Sequence, residues 1–180
     1  MLYMFFAQGF EEVEAIAALD VIRRAGIEIK SVGVGSKTVT GSHSIPVVCD
    51  LSAEEITSFE GIDGVILPGG MPGTLNLFES DTVHKAVDYC FKNNRLLCAI
   101  CAAPLILGRK NILNGKQAVC FPGFEEELIG AEISNNFVCI SDNVITAKGM
   151  GSAVNFGLAI VSYFKGQAFS DNLKASLQCS

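Results

Sequence analysis

The chain has no tryptophan, only two histidines and five prolines, and no apolar run long enough to span a bilayer. Each shortage excludes something. His43 and His84 stand apart, and no second C-x-x-C or C-x-x-H pair follows Cys98-Ala99-Ile100-Cys101, so the spacing of a zinc site is missing. No basic block occurs either. With 13 basic and 19 acidic residues the formal charge is −6, the wrong sign and the wrong clustering for holding phosphates, so nucleic acid is not an expected partner. Mean hydropathy is high at +0.40, but without a spanning segment this indicates a large buried core rather than a membrane partner. Met1-Leu2-Tyr3-Met4-Phe5-Phe6-Ala7 has no basic n-region and reads as a buried strand, which leads to an expected cytoplasmic location. Neither glycine-rich segment is a nucleotide motif. Pro68 to Gly73 lacks the Gly-Lys-Ser/Thr ending of a P-loop, and Lys148 to Val154 lacks the last glycine of the dinucleotide fingerprint.

What is present is core material, with 49% hydrophobic residues in a length of 180 that suits one domain over residues 1–180. Cys49, Cys90, Cys98, Cys101, Cys120, Cys139 and Cys179 are odd in number and irregularly spaced, unlike a disulfide framework. Strand and helix patterns alternate, as in an α/β fold with a mostly parallel sheet covered on both faces. Strands are expected at the amino terminus, Ile27 to Val34, Gly64 to Leu67 and Leu96 to Ile100. Ser44 to Cys49 reads as an added strand or hairpin arm. Strand-like segments follow at Gln117 to Cys120, Phe137 to Ile140 and Val144 to Ala147. Helices are expected from Glu11 to Ala25, ended by Gly26, from Asp81 to Phe91, from Ala102 to Arg109 and from about Ser152 to Phe164.

Cys101 lies where the apolar run Leu96 to Ile100 gives way to a helical pattern. That is a strand-to-helix elbow, and the amides at the start of the helix favour thiolate there. Cys98 falls inside the strand, so the C-x-x-C match does not make a redox pair at a helix start. Ligands bind beyond the carboxyl ends of such strands. Two other segments meet the elbow there: Gln8 to Glu14, with three carboxylates, and Pro68-Gly69-Gly70-Met71-Pro72-Gly73. Glycines at 69 and 70 let backbone amides approach a reacting oxygen, although Gly-Gly also makes plain turns. Glu11, Glu12 and Glu14 read from the residues alone as first-turn positions facing the helix dipole.

Glu11-Glu12-Val13-Glu14, Asp20 to Gly26, Leu67-Pro68-Gly69-Gly70, Ala99 to Pro104 and Lys148-Gly149-Met150-Gly151 together resemble the DJ-one/ThiJ/PfpI superfamily, in its order and over nearly the whole chain. The resemblance implies a flavodoxin-like, doubly wound sandwich that is usually a homodimer, formed around the first helix and Ser44 to Cys49. It also implies Cys101 as the reactive elbow cysteine, Glu14 as the acid on its sulfur, and Gly70 and Ala102 as amide donors, with Gly69 and Phe121 on the site wall. It calls for no cofactor and no metal. Relatives with a cysteine–histidine pair carry histidine after the cysteine or in the loop after the next strand; here those positions hold Ala102 and Phe121. A protease or amidotransferase triad therefore lacks its base.

Two functions follow from the resemblance. One is cofactor-independent conversion of small reactive carbonyls, methylglyoxal or glyoxal, to hydroxy acids, of the glyoxalase III or deglycase kind, with an aldehyde or glycated adduct as partner. The other is an oxidative-stress sensor or chaperone whose Cys101 is oxidised to sulfinic acid.

Overall fold

A computed structural model describes residues 1–179 of the chain. Leu2–Phe6 forms β1, an apolar run with every residue buried. Its side chains alternate between two cores, Leu2, Met4 and Phe6 entering one and Tyr3, Phe5 and Ala7 the other. That is the period-two pattern of a strand covered on both faces. In α1 (Glu12–Arg24) the Glu11 carboxylate caps the start by accepting the Glu14 N–H at 2.7 Å. Gly26, in the left-handed region at φ 69°, closes the end as its sequence position predicts.

The chain continues through β2 (Ile29–Gly33), β3 (Thr38–Thr40), β4 (Pro46–Val48), β5 (Leu51–Ser52), β6 (Gly64–Leu67), α2 (Gly73–Phe78), α3 (Asp81–Lys92) and β7 (Leu96–Ile100). After these come α4 (Pro104–Arg109), β8 (Gln117–Ala118), β9 (Glu132–Ile133), β10 (Val138–Ser141), β11 (Val144–Ala147), α5 (Ala153–Lys165) and α6 (Gln167–Ser176). The main sheet has seven strands in the order β10-β11-β7-β6-β1-β2-β5. Only β10 runs antiparallel to its neighbour. This is the expected flavodoxin-like sandwich. β1 pairs with β2 on one side and β6 on the other, so the winding reverses between β1 and β6. The carboxyl ends of β1, β6 and β7 lie together at that switch.

Several local expectations shift. Of the two readings of Ser44 to Cys49, the hairpin arm holds: it contributes β4 of a β3–β4 hairpin outside the main sheet. The stretch Gln117 to Cys120 shortens to β8, which pairs with β9 outside the main sheet. Helix α4 begins at Pro104, two residues after its predicted start, because Ala102 and Ala103 form the turn out of the elbow. Two helices were not anticipated. α2 is a six-residue helix opening on Pro72-Gly73, too short to show a period. α6 lies beyond the last predicted helix, and its Leu173, with Leu177 just past its end, packs on Val21, Ala25, Leu158 and Val161.

Candidate active site

Cys101 follows β7 directly and adopts φ 65°, a left-handed conformation rare for a residue with a side chain. Backbone bonds on both sides hold it there: its N–H donates to Ala147 O at 2.9 Å, and its carbonyl accepts the Phe121 N–H at 2.8 Å. The turn leaves the sulfur half-buried at the carboxyl end of the sheet, with the N–H groups of Gly70 and Ala102 donating to it.

Glu14 reaches the same point from the first turn of α1. It is 1% exposed, shares a hydrogen bond with the Cys101 sulfur, and accepts from the Met150 N–H. The Gly69 N–H donates to its Oε2 at 3.0 Å. Position 69 has no room for a side chain: a Cβ would sit 2.5 Å from Cys101 Cβ and 2.6 Å from Glu14 Oε2. Gly70, at φ 91°, is pressed as closely against the Glu11 N–H. The loop after β6 is therefore all backbone where it faces the cysteine. The structure thus brings Cys101, Glu14, Gly69, Gly70 and Ala102 together.

Burial pushes the Glu14 carboxyl up to about 7; the Glu11 charge adds to this, while the hydrogen bonds from Cys101, Gly69 and Met150 oppose it. It is therefore about half protonated at neutral pH. Burial also raises the Cys101 thiol to about 12, reinforced by the Glu14 charge and hydrogen bond and only partly offset by the amides of Gly70 and Ala102. This corrects the expectation that the elbow alone favours thiolate. A six-residue helix has a weak macrodipole, and a buried carboxylate against the sulfur outweighs two amides. The sulfur is activated only when the carboxyl beside it holds the proton. The pair then carries one negative charge, and the Glu14 O–H donates to sulfur.

His43, isolated in sequence, folds onto Glu12. Its Nδ1 lies 2.9 Å from Glu12 Oε2, and its backbone N–H donates to Oε1 at 2.7 Å. Glu12 is thus a clasp between α1 and the β3–β4 hairpin rather than a first-turn residue alone. Glu11, Glu12 and His43 bring potential ligand atoms within 4.8 Å of one another, but the Glu12 oxygens are already occupied by the hairpin. His84 lies on α3, against the Phe78 carbonyl and Lys110 Nζ. Among the described residues neither histidine bonds to Cys101 or Glu14. All seven cysteines are free, and complete burial drives the Cys98 thiol well above its ordinary range.

Phe121 forms the outer wall, 48% exposed, with its ring 3.2 Å from where a Cβ on Gly149 would stand. Beside it a cleft of about 340 Å³ opens between Phe121-Pro122, Phe137 and the stretch Lys148 to Ser152. The stretch Lys148 to Gly151 belongs to the family resemblance, but the sequence assigns Met150 no role at the site. Its donor to Glu14 is a backbone N–H, which has no side-chain signature.

A doubly wound sheet with a strained cysteine elbow, a buried acid on its sulfur and no paired histidine defines a distinct class of α/β protein. The chain belongs to the DJ-1/PfpI family, whose sequence pattern matches residues 1–163. It is 33% identical to Protein dj-1beta of Drosophila melanogaster over 164 residues, 89% of this chain and 87% of that one. It is 30% identical to the glutathione-independent glyoxalase DJR-1.2 of Caenorhabditis elegans over 165 residues, 91% and 87% of the two chains. Its fold superimposes on the oxidised DJ-1 of Toxoplasma gondii with a TM-score of 0.94, at 26% identity over 99% of this chain and 98% of that one.

Proposed function

We propose that the protein is a cofactor-independent enzyme converting 2-oxoaldehydes to 2-hydroxy acids. The observation that carries this reading is the buried Glu14 carboxyl, raised to about 7 and hydrogen-bonded to the Cys101 sulfur. A thiol raised to about 12 needs a base within reach, and a carboxyl near 7 can give and take a proton at neutral pH. The related glyoxalase of Caenorhabditis elegans supports the substrate class.

The chemistry balances with water as the only co-reactant. Ionised Glu14 takes the thiol proton as sulfur bonds to the aldehyde carbon. The carbonyl electron pair moves to oxygen, for which the Gly70 and Ala102 amides are the available donors. Glu14 returns its proton to that oxygen, giving a hemithioacetal, then removes the hydrogen of the former aldehyde carbon. The electron pair forms a carbon–carbon double bond as the ketone pair moves to its oxygen, which takes the proton back from Glu14 to give an enediol. Glu14 then carries the proton of the other hydroxyl to the former ketone carbon, giving a 2-hydroxyacyl thioester. The aldehyde carbon is oxidised and the ketone carbon reduced. Water then cleaves the carbon–sulfur bond, releasing hydroxy acid and free thiol.

The first test is D- and L-lactate formation from methylglyoxal by freshly reduced protein, beside Cys101→Ala. Turnover that disappears in the variant is expected; equal rates in both would end the proposal. Because the base must be ionised, kcat/KM rises with pH through about 7 before levelling.

A second reading, oxidation sensing, has its own observation: two amides face the sulfur and would bond a sulfinate oxygen, and the Toxoplasma gondii neighbour is oxidised. Mass spectrometry after dilute peroxide tests it. Selective modification of Cys101 supports the reading, and indiscriminate modification of the other cysteines removes it. For the assembly we propose a homodimer through α1 and the hairpin. Val13, Ile16, Ile45 and Val48 are 47%, 40%, 51% and 73% exposed there, and sedimentation velocity should report twice the chain mass.

A further inference from the structure

Resting on the 2-oxoaldehyde reading above, we infer that the preferred substrate carries a bulky apolar, aryl-sized group on its ketone carbon, and that the cleft beside Glu14 is its specificity pocket. The cleft adjoins the reacting pair, although neither Cys101 nor Glu14 is on its lining. Its Phe121 N–H bonds to the Cys101 carbonyl at 2.8 Å, its Met150 N–H bonds to Glu14, and a Cβ on Gly149 would stand 3.8 Å from Glu14 Oε1. A bulky group attached to a carbon bonded to Sγ therefore has this cleft beside it to occupy.

Size and lining set the chemistry. At about 340 Å³ the cleft has about twice the volume of an apolar cavity known to hold benzene, roughly 150 Å³. Methylglyoxal offers only a methyl group to that space. The walls are Phe121, Pro122, Phe137 and Met150, surfaces suited to edge or offset contact with a ring and to sulfur–aromatic contact. Phe121, Phe137 and Met150 are 48%, 66% and 55% exposed, apolar surface that a small substrate leaves in water. Lys148 Nζ lies 5.7 Å from the Phe137 ring centroid, which helps to hold that ring as the outer wall. Phe121 also stands where the resemblance places the histidine of relatives that have one, so a ring replaces a polar group at the mouth.

The test compares phenylglyoxal, which would give mandelate, with methylglyoxal. The expected result is a kcat/KM ratio of at least about ten in favour of phenylglyoxal, the scale of discrimination an apolar pocket supplies. That ratio should fall several-fold in Phe137→Ala and in Gly151→Leu. A side chain at Gly151 meets no atom within 4 Å, so leucine narrows the cleft without disturbing the fold. Methylglyoxal turned over as well as phenylglyoxal, or a ratio unmoved by both variants, overturns the inference and leaves the proposed reaction standing. Mandelate binding to Cys101→Ala, read from aromatic NMR shifts, needs no turnover. Binding of mandelate but not lactate, with neither aldehyde consumed, supports the pocket and overturns the reaction. No preference for mandelate overturns the pocket whatever the turnover.

Discussion

Glu12 and Glu14 are two residues apart on one helical turn, both almost wholly buried at 4% and 1% exposure, yet they titrate in opposite directions. Burial pushes each up. For Glu12 the hydrogen bonds from His43 and the Ile45 N–H outweigh burial and bring it down to about 2. For Glu14 burial prevails and leaves it at about 7. Two residues on a helix point about 200° apart, so Glu12 meets the hairpin backbone and Glu14 meets a sulfur. Gly41 completes the first environment, since a Cβ there would lie 2.3 Å from Glu12 Oε1. The balance between burial and donors decides: where the donors win, as at Glu12, the carboxylate becomes a structural clasp, and where burial wins, as at Glu14, the carboxyl is left able to exchange a proton near neutral pH.

The largest expected effect separates the two directly. Glu14→Gln keeps shape and hydrogen-bonding capacity but cannot carry the proton, so oxoaldehyde turnover falls about 10²–10⁴-fold, the usual contribution of a general acid–base. The same change removes the Glu14 charge and hydrogen bond that hold the Cys101 thiol up. Thiolate absorbance or alkylation rate should therefore show a more acidic cysteine in a less active protein. Retained turnover would place the base elsewhere.

Stability gives the second contrast. Glu14 is raised from 4.5 to about 7, so its neutral form supports the fold below pH 4.5 and that support is lost as pH rises through about 7. Between pH 4.5 and 8, Glu14→Gln should gain about 2–3 kcal/mol relative to the native chain, at 1.36 kcal/mol per pH unit. Urea titrations at the two pH values measure it. An unchanged difference would mean that the carboxyl is not held neutral.

Glu12→Gln should do the reverse. Its carboxyl is lowered from 4.5 to about 2, so its contribution is present above pH 4.5 and lost as pH falls through about 2. At pH 7 the substitution should cost about 1.5–3 kcal/mol, the range for hydrogen bonds to a charged group. That penalty should shrink on acidification, with little change in the kcat of turnover. His43→Ala is the smallest change expected, because the ring is 71% exposed and solvent screens its pairing with Glu12. A larger loss from His43→Ala than from Glu12→Gln in the same denaturation series would invert this account of the clasp.

The sheet and the elbow were legible from local pattern. Apolar runs in β1, β6 and β7, the glycine after α1 and the break at Cys101 are local signals, and each reappears in the structure within a residue or two. Glu14, Gly69, Gly70 and Phe121 were identifiable from motifs because the family resemblance fixes their positions. The charge states came only with packing. The height of the Cys101 thiol, the split between Glu12 and Glu14, the engagement of His43 by Glu12 and the apolar cleft all arise between segments distant in sequence. Desolvation and hydrogen-bond donation depend on which groups are brought within about 3 Å, and that distance is set by packing rather than by order along the chain.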